Sequence, residues 1–458
     1  MRRFRTLLGV TLAGACALAV VPGTASAAPA VSQKAAAAID DTTGAYYPLA
    51  PARLLDTRSG LGAPTGALGA GKKIDLQVAG RGGVPSAGVG AVVLNVTVTG
   101  PTMNSYLTAY PAGEARPSAS SINFPKGWLG SNNVTVKLGT GGKASIYNHL
   151  GSTHVVVDVV GFYAADNTLT NRNGSEFWPV TPDRLFDTRS DGTGKMPAGS
   201  WIDYSVDFGA DNPGIRSLVI NLTAVAPANA GFLTAWSGAG TRPTSSTVNY
   251  GAGKVVPNLA YVQTRPCYED WCTPGAPMFR VYTSQTSHFV TDLVGLIDDG
   301  SWGGGLRFKP LSPTRIADSR YGQGIPAALT PGAVRTVTTP AALLDETTVA
   351  LAMNATAVAP TSSTVITVWP AGWGDPKPMA SNLNPAAGQT VSGAVLSLIG
   401  PEAGFNVHNL SGTTHMIFDV VGTFYFLDPA AAAAAKSAKA GTTAPAVVGT
   451  TSRASTGS

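Results

Sequence analysis

The chain has 458 residues, enough for several domains, and its composition is that of a globular protein, with 44% hydrophobic and 12% charged residues. Its 54 glycines and 33 prolines predict many turns. The formal net charge of +5 falls to about +2 if the N-terminal arginines are removed, and no basic patch is concentrated anywhere, which argues against a nucleic-acid partner.

The N-terminal segment has the parts of a secretory signal. Three arginines among the first five residues precede an apolar run over residues 7–21, and a small-x-small triplet favours cleavage after Ala27. We therefore expect a signal peptide over residues 1–27, a linker over residues 28–46, and an extracellular mature protein, either free or associated with the cell wall. No other apolar run is long enough to span a bilayer, so we expect no integral membrane segment in the mature chain.

One pattern then occurs three times at equal spacing. Each copy opens with a motif that ends in Asp-Thr-Arg or Asp-Ser-Arg, carries Asn-x-Thr in its middle, and ends in an apolar run that starts with histidine. Such self-similarity predicts tandem copies of one structural unit. We place the repeats at residues 47–165, 175–298 and 306–428, followed by a disordered tail rich in Ala, Thr and Ser over residues 429–458.

Each repeat has the pattern of β-strands. Leu94, Val96 and Val98 alternate with polar residues, and short β-branched runs are separated by Gly, Pro and Asn turns. The run that starts at His154 is apolar on both faces, which predicts a central, buried strand. We expect an all-β protein made of three β-sandwich or barrel-like repeats of about 115–130 residues each.

Corresponding connections between strands differ in the first and second repeats. Residues 133–138 and 143–148 flank a Gly-Thr-Gly-Gly segment, which predicts a hairpin. The second repeat has a longer insertion there, with Cys267 and Cys272. In an oxidising compartment this pair predicts a local disulfide that clips the lengthened hairpin loop. Two cysteines without nearby histidines make a poor zinc site, so we predict no metal and no cofactor.

The Leu-Asp-Thr-Arg opening, the Asn-Val-Thr middle and the His-Val-Val-Val-Asp-Val-Val-Gly-Phe-Tyr ending resemble a repeat of secreted actinobacterial proteins. The resemblance covers about residues 48–163, 179–297 and 311–426. The third copy departs most, with Asp318-Ser319-Arg320. The resemblance implies an extracellular location and an accessory role, and it transfers no catalytic residue.

The repeated polar residues within apolar strands allow two interpretations. Asp56 and Arg58 would share one strand face, as would His154 and Asp158, which an enzyme could use as a His/Asp dyad or a metal site. We favour a structural polar core in which Asp158 and Arg58 form a buried pair, because three copies of a packing device need no special reason. The set comprises Asp56, Arg58, His154, Asp158, Asp187, Arg189, His288, Asp292, Asp318, Arg320, His415 and Asp419.

A repeated aromatic residue followed by a cation predicts a ligand site. The ring would lie on the outward face of a strand, where a flat ring beside a cation suits an acidic sugar. The alternative is that the rings only cover a sheet edge or pack between repeats. The residues are Tyr110 with Arg116, Trp236 with Arg242, and Trp369 with Lys377.

These patterns favour a secreted, non-catalytic repeat protein that binds or scaffolds at the cell envelope, with an acidic cell-wall glycopolymer as the hypothetical ligand. The partner would be an envelope polysaccharide or a surface protein. The first alternative is a structural repeat protein that interacts with other proteins and has no carbohydrate site. The second alternative is a hydrolase that uses Asp/His pairs. The sequence contains no known nucleophile motif, and we predict no catalytic residue.

Overall fold

The structure is a computed structural model that describes residues 41–169, 174–430 and 444–455. The predicted signal peptide and the predicted linker as far as residue 40 lie outside the described residues. Residues 431–443 and 456–458 of the predicted tail do so too. Across the described ranges the secondary structure is almost entirely β, with three 3₁₀ turns at Asn167–Leu169, Gly209–Gly214 and Ala341–Leu343. The predicted all-β class with three sandwich repeats is confirmed.

The first repeat is a sandwich of two four-stranded antiparallel sheets. One sheet faces the other two repeats and is called the inner sheet. It has, in spatial order, β1 (Tyr46–Asp56), β8 (His154–Ala164), β3 (Val89–Thr99) and β6 (Leu129–Lys137). Its outer sheet has β2 (Lys73–Gln77), β7 (Lys143–Asn148), β4 (Ser105–Pro111) and β5 (Ile122–Phe124).

The second repeat copies this plan and adds two strands. Its inner sheet has β14 (Val255–Gln263), β11 (Ile215–Val225), β17 (His288–Asp298) and β9 (Phe177–Asp187). Its outer sheet has β13 (Val248–Tyr250), β12 (Gly231–Trp236), β16 (Pro277–Thr283), β10 (Trp201–Asp207) and β25 (Gly449–Ser455), and the short β15 (Arg265–Pro266) also pairs with β16.

The third repeat has a smaller outer sheet. Its inner sheet has β18 (Arg307–Asp318), β24 (His415–Tyr425), β20 (Thr348–Val358) and β22 (Val391–Leu398). Its outer sheet has β19 (Val334–Thr338), β23 (Gly404–Asn409) and β21 (Ile366–Pro370).

Strand alternation fills the core of each sandwich. In β3, Leu94, Val96 and Val98 face the outer sheet and are fully buried there, as predicted. The polar residues that alternate with them, Asn95 and Thr97, are only 5% exposed, because their face of the inner sheet is covered by a neighbouring repeat. The ending strand β8 lies between β1 and β3, so the prediction that it is central and buried is confirmed.

A fourth apolar core lies where the three inner sheets meet. It contains residues of all three repeats, among them Val93, Val219 and Ala352. Aromatic rings fill its centre, and the Phe424 ring of the third repeat contacts Tyr163 of the first and Phe177 of the second. The three sandwiches therefore share one buried centre in addition to their own cores.

The glycine in each ending motif makes room for these aromatic rings. A Cβ atom added to Gly161 would collide with the Tyr46 ring. The corresponding Gly295 and Gly422 would meet the rings of Phe177 and Phe308 in the same way. The recurring Val-Gly pair of the sequence is thus explained by the close approach of an aromatic side chain from the first strand of its own repeat.

Three predictions about chain segments are wrong. Residues 133–138 and 143–148 form no hairpin, because β6 belongs to the inner sheet and β7 to the outer sheet. Tyr46, placed in the linker, starts β1 and is 1% exposed. Residues 449–455, placed in the disordered tail, form β25 on the second repeat.

The predicted disulfide is confirmed. Cys267 and Cys272 are bonded, with their Cα atoms 6.4 Å apart. The bond closes the loop between β15 and β16, which pair antiparallel as a short hairpin in the outer sheet. The disulfide therefore clips a lengthened hairpin loop, as the sequence predicted.

Candidate functional site

The repeated charges form a polar row on the central face of each inner sheet. In the first repeat, Arg53 lies opposite Asp158 in the strand register, and Asp158 lies opposite Asn95. The Arg53 guanidinium donates to both carboxylate oxygens of Asp158, at 2.9 and 3.3 Å, and also reaches the backbone oxygen of Thr244 in the second repeat at 3.1 Å. The same row recurs as Arg184, Asp292 and Asn221, and as Arg315, Asp419 and Asn354.

The predicted Asp158–Arg58 pair is wrong. Arg58 follows the end of β1 and donates to Asp56, with Nε–Oδ1 and Nη2–Oδ2 distances of 2.8 and 2.6 Å. Its side chain is 51% exposed, so it does not belong to a buried core. Strand β1 ends at Asp56, so the two residues do not share a strand face. Arg189 with Asp187 and Arg320 with Asp318 repeat this arrangement.

The repeated histidine does not meet the repeated aspartate. His154 Nδ1 lies 3.1 Å from the Thr57 hydroxyl, and that hydroxyl also accepts the Val155 N–H at 3.0 Å. Asp158 is instead paired with Arg53. His288 with Thr188 and His415 with Ser319 repeat the hydroxyl contact at 3.0 Å. Ser319, which stands where the other copies have threonine, thus still supplies the hydroxyl group that the contact requires.

The two aspartates of each network have opposite pKa shifts. Burial raises the pKa of Asp158, although its bond to Arg53 opposes this, and burial likewise raises the pKa values of Asp292 and Asp419. The hydrogen bond from Arg58 lowers the pKa of Asp56. The Asp158 carboxylate therefore depends on Arg53 to keep its charge. The Asp56 carboxylate is held ionised by Arg58 together with Arg53.

Asparagines connect the repeats in a cyclic order. Asn95 of the first repeat donates to the Ser246 backbone oxygen of the second at 2.6 Å, and Asn221 of the second donates to Ser381 of the third at 2.5 Å. Asn354 of the third repeat closes the ring by donating to Ser120 of the first at 2.6 Å. This head-to-tail order is that of a closed three-membered ring assembled within one chain.

The three seams between repeats are not identical. Asn258 donates to the side-chain oxygen of Asn95 at 2.9 Å, and Asn132 donates to that of Asn354 at 3.0 Å. The third corresponding position is Gly393, which lies against the Leu383 side chain. At the seam between the second and third repeats, the residue at this position has no side chain that could donate to an asparagine, and Leu383 of the same repeat fills the space.

The predicted aromatic platform is not at the surface. The Tyr110, Trp236 and Trp369 side chains are 5%, 6% and 5% exposed. Trp369 lines a cavity with Pro179 and Pro182 of the second repeat, so it packs between two repeats, as the structural alternative predicted. The rings cannot stack on a sugar without a rearrangement of the strands.

The cations that follow these rings contact other aromatic side chains. The guanidinium of Arg116 lies 4.1 Å from the centre of the Tyr147 ring, and that of Arg242 lies 3.9 Å from the centre of Tyr282. In the third repeat a histidine takes the ring position, and burial together with the charge of Lys377 lowers the pKa of His408. Arg116 and Arg242 therefore each cover a ring of their own outer sheet.

A second charged cluster was missed by the sequence analysis. Glu176 and Arg307, which are both almost fully buried, form an ion pair at 3.0 Å between the second and third repeats. Asp298 accepts the Glu176 N–H at 2.6 Å and the Trp178 indole N–H at 3.0 Å. Burial raises the pKa of Asp298 to about 6. Neither Glu176 nor Arg307 has a charged counterpart at residue 45 of the first repeat, so repetition gave no signal for them.

Arg53 and its two counterparts were also missed, although a signal existed. They occupy the same place in all three opening motifs, two residues after the proline with which each motif begins: Pro51, Pro182 and Pro313. Their pairing required knowledge that β1 bulges between Arg53 and Leu55, which shifts the register against β8.

The described residues offer little room for a ligand at the seams. One cavity, lined by Asn95, Asn133 and Asp158, has a volume of about 20 Å³, which is room for roughly one water molecule. Within residues 41–169, 174–430 and 444–455 no group of three His, Cys, Asp or Glu side chains could hold a metal ion. No helix in the same ranges is long and apolar enough to cross a membrane.

The fold and these contacts define an all-β protein of three sandwiches joined around one centre. No model of a known protein family matches the chain, and no curated protein matches it in sequence.

Two solved structures align with much of the chain at low similarity. One, from work on "The Triple Jelly Roll Fold and Turret Assembly in an Archaeal Virus", aligns 84% of this chain with 90% of its own at 8% identity and a TM-score of 0.16. The other, from "Life in the extremes: atomic structure of Sulfolobus Turreted Icosahedral Virus", aligns 83% with 91% at 9% identity and a TM-score of 0.14.

Proposed function

We propose that this chain is a secreted, non-catalytic scaffold of the cell envelope that presents its surface to partner proteins. The signal-like N-terminus and the Cys267–Cys272 disulfide support an oxidising, extracellular location. The resemblance to secreted actinobacterial repeat proteins supports the same setting.

One observation carries the proposal: the polar groups that recur in all three repeats are paired with one another or with the next repeat. Arg53 forms an ion pair with Asp158, and the Thr57 hydroxyl contacts His154. Asn95 donates a hydrogen bond to the second repeat. Groups that are paired in this way stabilise a rigid body. A scaffold needs that rigidity, whereas a hydrolase needs a free acid–base pair.

The alternatives receive less support. A hydrolase would need His154 and Asp158 to act together, and each has a different partner. Binding of an acidic glycopolymer through stacked rings would need Tyr110, Trp236 and Trp369 at the surface, and they are buried. Protein partners remain as the occupants that suit a large, rigid, all-β surface.

The proposal can be tested with purified mature chain and isolated cell envelopes. The envelopes are used intact, after protease treatment that removes surface proteins, and after chemical extraction of acidic glycopolymers. We expect sedimentation of the chain with intact and extracted envelopes, and loss of sedimentation after protease treatment.

The opposite pattern would contradict a protein partner. Binding that survives protease treatment but disappears on glycopolymer extraction would favour the carbohydrate alternative, and absence of binding to all three preparations would exclude an envelope role. A heat-unfolded sample of the same chain serves as the control for non-specific adsorption.

A further inference from the structure

The C-terminal strand joins a repeat that it does not follow in sequence. Strand β25 pairs antiparallel with the whole of β10, from Ser455 opposite Trp201 to Gly449 opposite Asp207. It follows the third repeat along the chain, yet among the described strands the outer edge of that repeat, β19, has no added neighbour, and neither has β2 of the first repeat. Among the three corresponding edge strands β2, β10 and β19, the tail strand β25 therefore pairs with β10.

The three edges differ in length and charge. Strand β2 has five residues and exposes Lys73 and Asp75, and β19 has five residues and exposes Arg335. Strand β10 has seven residues, and the carboxylate of its third residue, Asp203, pairs with Arg280 at 2.6 Å. Exposed charges on an edge strand discourage pairing with another strand. The β10 edge is therefore the one that most readily accepts a strand.

The tail strand is held mainly through its backbone. The five residues at its centre are exposed, and Ala444 and Val447 before it pack against the second repeat's core. An ion pair joins Arg453 to Asp270 at 3.4 Å with both side chains exposed, and such pairs contribute little. Binding through a backbone ladder is the mode of β-strand addition, in which side-chain pockets are optional.

We propose that the β10 edge is a strand-acceptor site that takes the tail strand of a second copy of this chain as well as its own. The contacts are the same in both cases, which is the condition for domain swapping. The covalently attached tail has the higher effective concentration, so it occupies the site in dilute solution. Exchange between copies becomes favourable where the protein is crowded. This inference does not depend on the envelope function proposed above.

The acceptor site is tested first with a peptide. A chain truncated after Asp428 leaves β10 open, and a fluorescent peptide of residues 444–458 is titrated into it and into the full chain by anisotropy. We expect saturable binding to the truncated chain and binding at least about 100-fold weaker to the full chain, whose own tail competes. The control peptide carries Ser452→Pro and Arg453→Pro. Neighbouring residues of a strand point their N–H groups to opposite sides, so one proline must remove a ladder hydrogen bond.

Three results would overturn the acceptor site. They are equal binding to both chains, undiminished binding of the proline peptide, and no binding to a truncated chain whose circular dichroism spectrum and melting temperature show that it is folded.

The second copy as occupant is tested by refolding the full chain at increasing concentration and measuring mass by light scattering after size exclusion. We expect a dimer fraction that grows with concentration, that is abolished by excess free peptide during refolding, and that is absent in the Ser452→Pro, Arg453→Pro chain. A full chain that stays monomeric at every concentration, or a truncated chain that dimerises equally well, would overturn exchange between copies.

Discussion

A carboxylate buried in each inner sheet needs a cation, and the identity of that cation decides which substitution is costly. Replacement of Arg53 by Ala leaves Asp158 buried without a partner, whereas replacement of Arg58 by Ala exposes Asp56 to water at the surface. We expect Arg53→Ala to lower the free energy of unfolding by about 3–5 kcal/mol and Arg58→Ala by about 1 kcal/mol or less. Urea unfolding followed by tryptophan fluorescence measures both.

The third repeat offers a matched pair for the same comparison. Arg315→Ala should behave as Arg53→Ala, and Arg320→Ala as Arg58→Ala, because the contacts recur. Equal losses for the two arginines of one repeat would contradict the assignment of Arg53 and Arg315 to the buried carboxylates.

The pH dependence of stability should report on Asp298. Its pKa is about 6 in the folded protein and roughly 4 in an unfolded chain, so the folded state binds more protons between these values. The contribution of this group to stability is therefore full below pH 4, decreases as pH rises to 6, and is constant above. We expect the unfolding free energy of the native chain minus that of Asp298→Asn to fall by about 3 kcal/mol from pH 4 to pH 7.

Asp345 provides the control for this experiment. Burial alone would raise its pKa, but hydrogen bonds that include those from Thr347 and Thr348 lower it to about 2. Its contribution to stability is present above pH 4 and is lost only as pH falls towards 2. The difference between the native chain and Asp345→Asn should stay flat from pH 4 to pH 7. A flat curve for Asp298→Asn as well would show that the Asp298 pKa is not raised.

At the scale of the strands, the unequal seams should be visible in mutant stability. The Asn95 side chain makes two amide contacts across its seam, to Ser246 and from Asn258, whereas Asn221 donates to Ser381 and the position that corresponds to Asn258 is Gly393. A buried group that loses its partner costs about 1–3 kcal/mol. We expect Asn95→Ala to be destabilising by about 2–3 kcal/mol and Asn221→Ala by about 1 kcal/mol, as measured by urea unfolding. A larger loss for Asn221→Ala would contradict this account of the seams.

At the scale of the whole molecule, the shared centre should make the three repeats unfold together. Phe424 of the third repeat contacts aromatic rings of the other two, so loss of one repeat exposes apolar surface of all. We expect a single calorimetric transition whose measured enthalpy equals the van't Hoff enthalpy. Phe424→Ala should lower its midpoint without splitting it, at a cost of about 3–5 kcal/mol. Three resolved transitions in the native chain would contradict one cooperative unit.

Much of the fold could be predicted from the chain because the signals are local and occur three times. The alternation of Leu94, Val96 and Val98 identified a strand with one face in a core, and the spacing of Cys267 and Cys272 identified a disulfide. The partner of a polar strand residue could not be predicted in this way. Asn95 and Thr97 have the pattern of solvent-facing residues, and their burial depends on a repeat more than a hundred residues away.

The sequence by itself determined that one β unit occurs three times and which strand faces are apolar, because periodicity is a property of neighbouring residues. Only the tertiary structure decided that Arg53 and not Arg58 neutralises Asp158, that Tyr110, Trp236 and Trp369 are buried, and that residues 449–455 complete the sheet of the second repeat. These outcomes depend on a bulge, on packing between repeats and on an open sheet edge. Each of them brings together residues that are distant along the chain, and local pattern carries no information about such contacts.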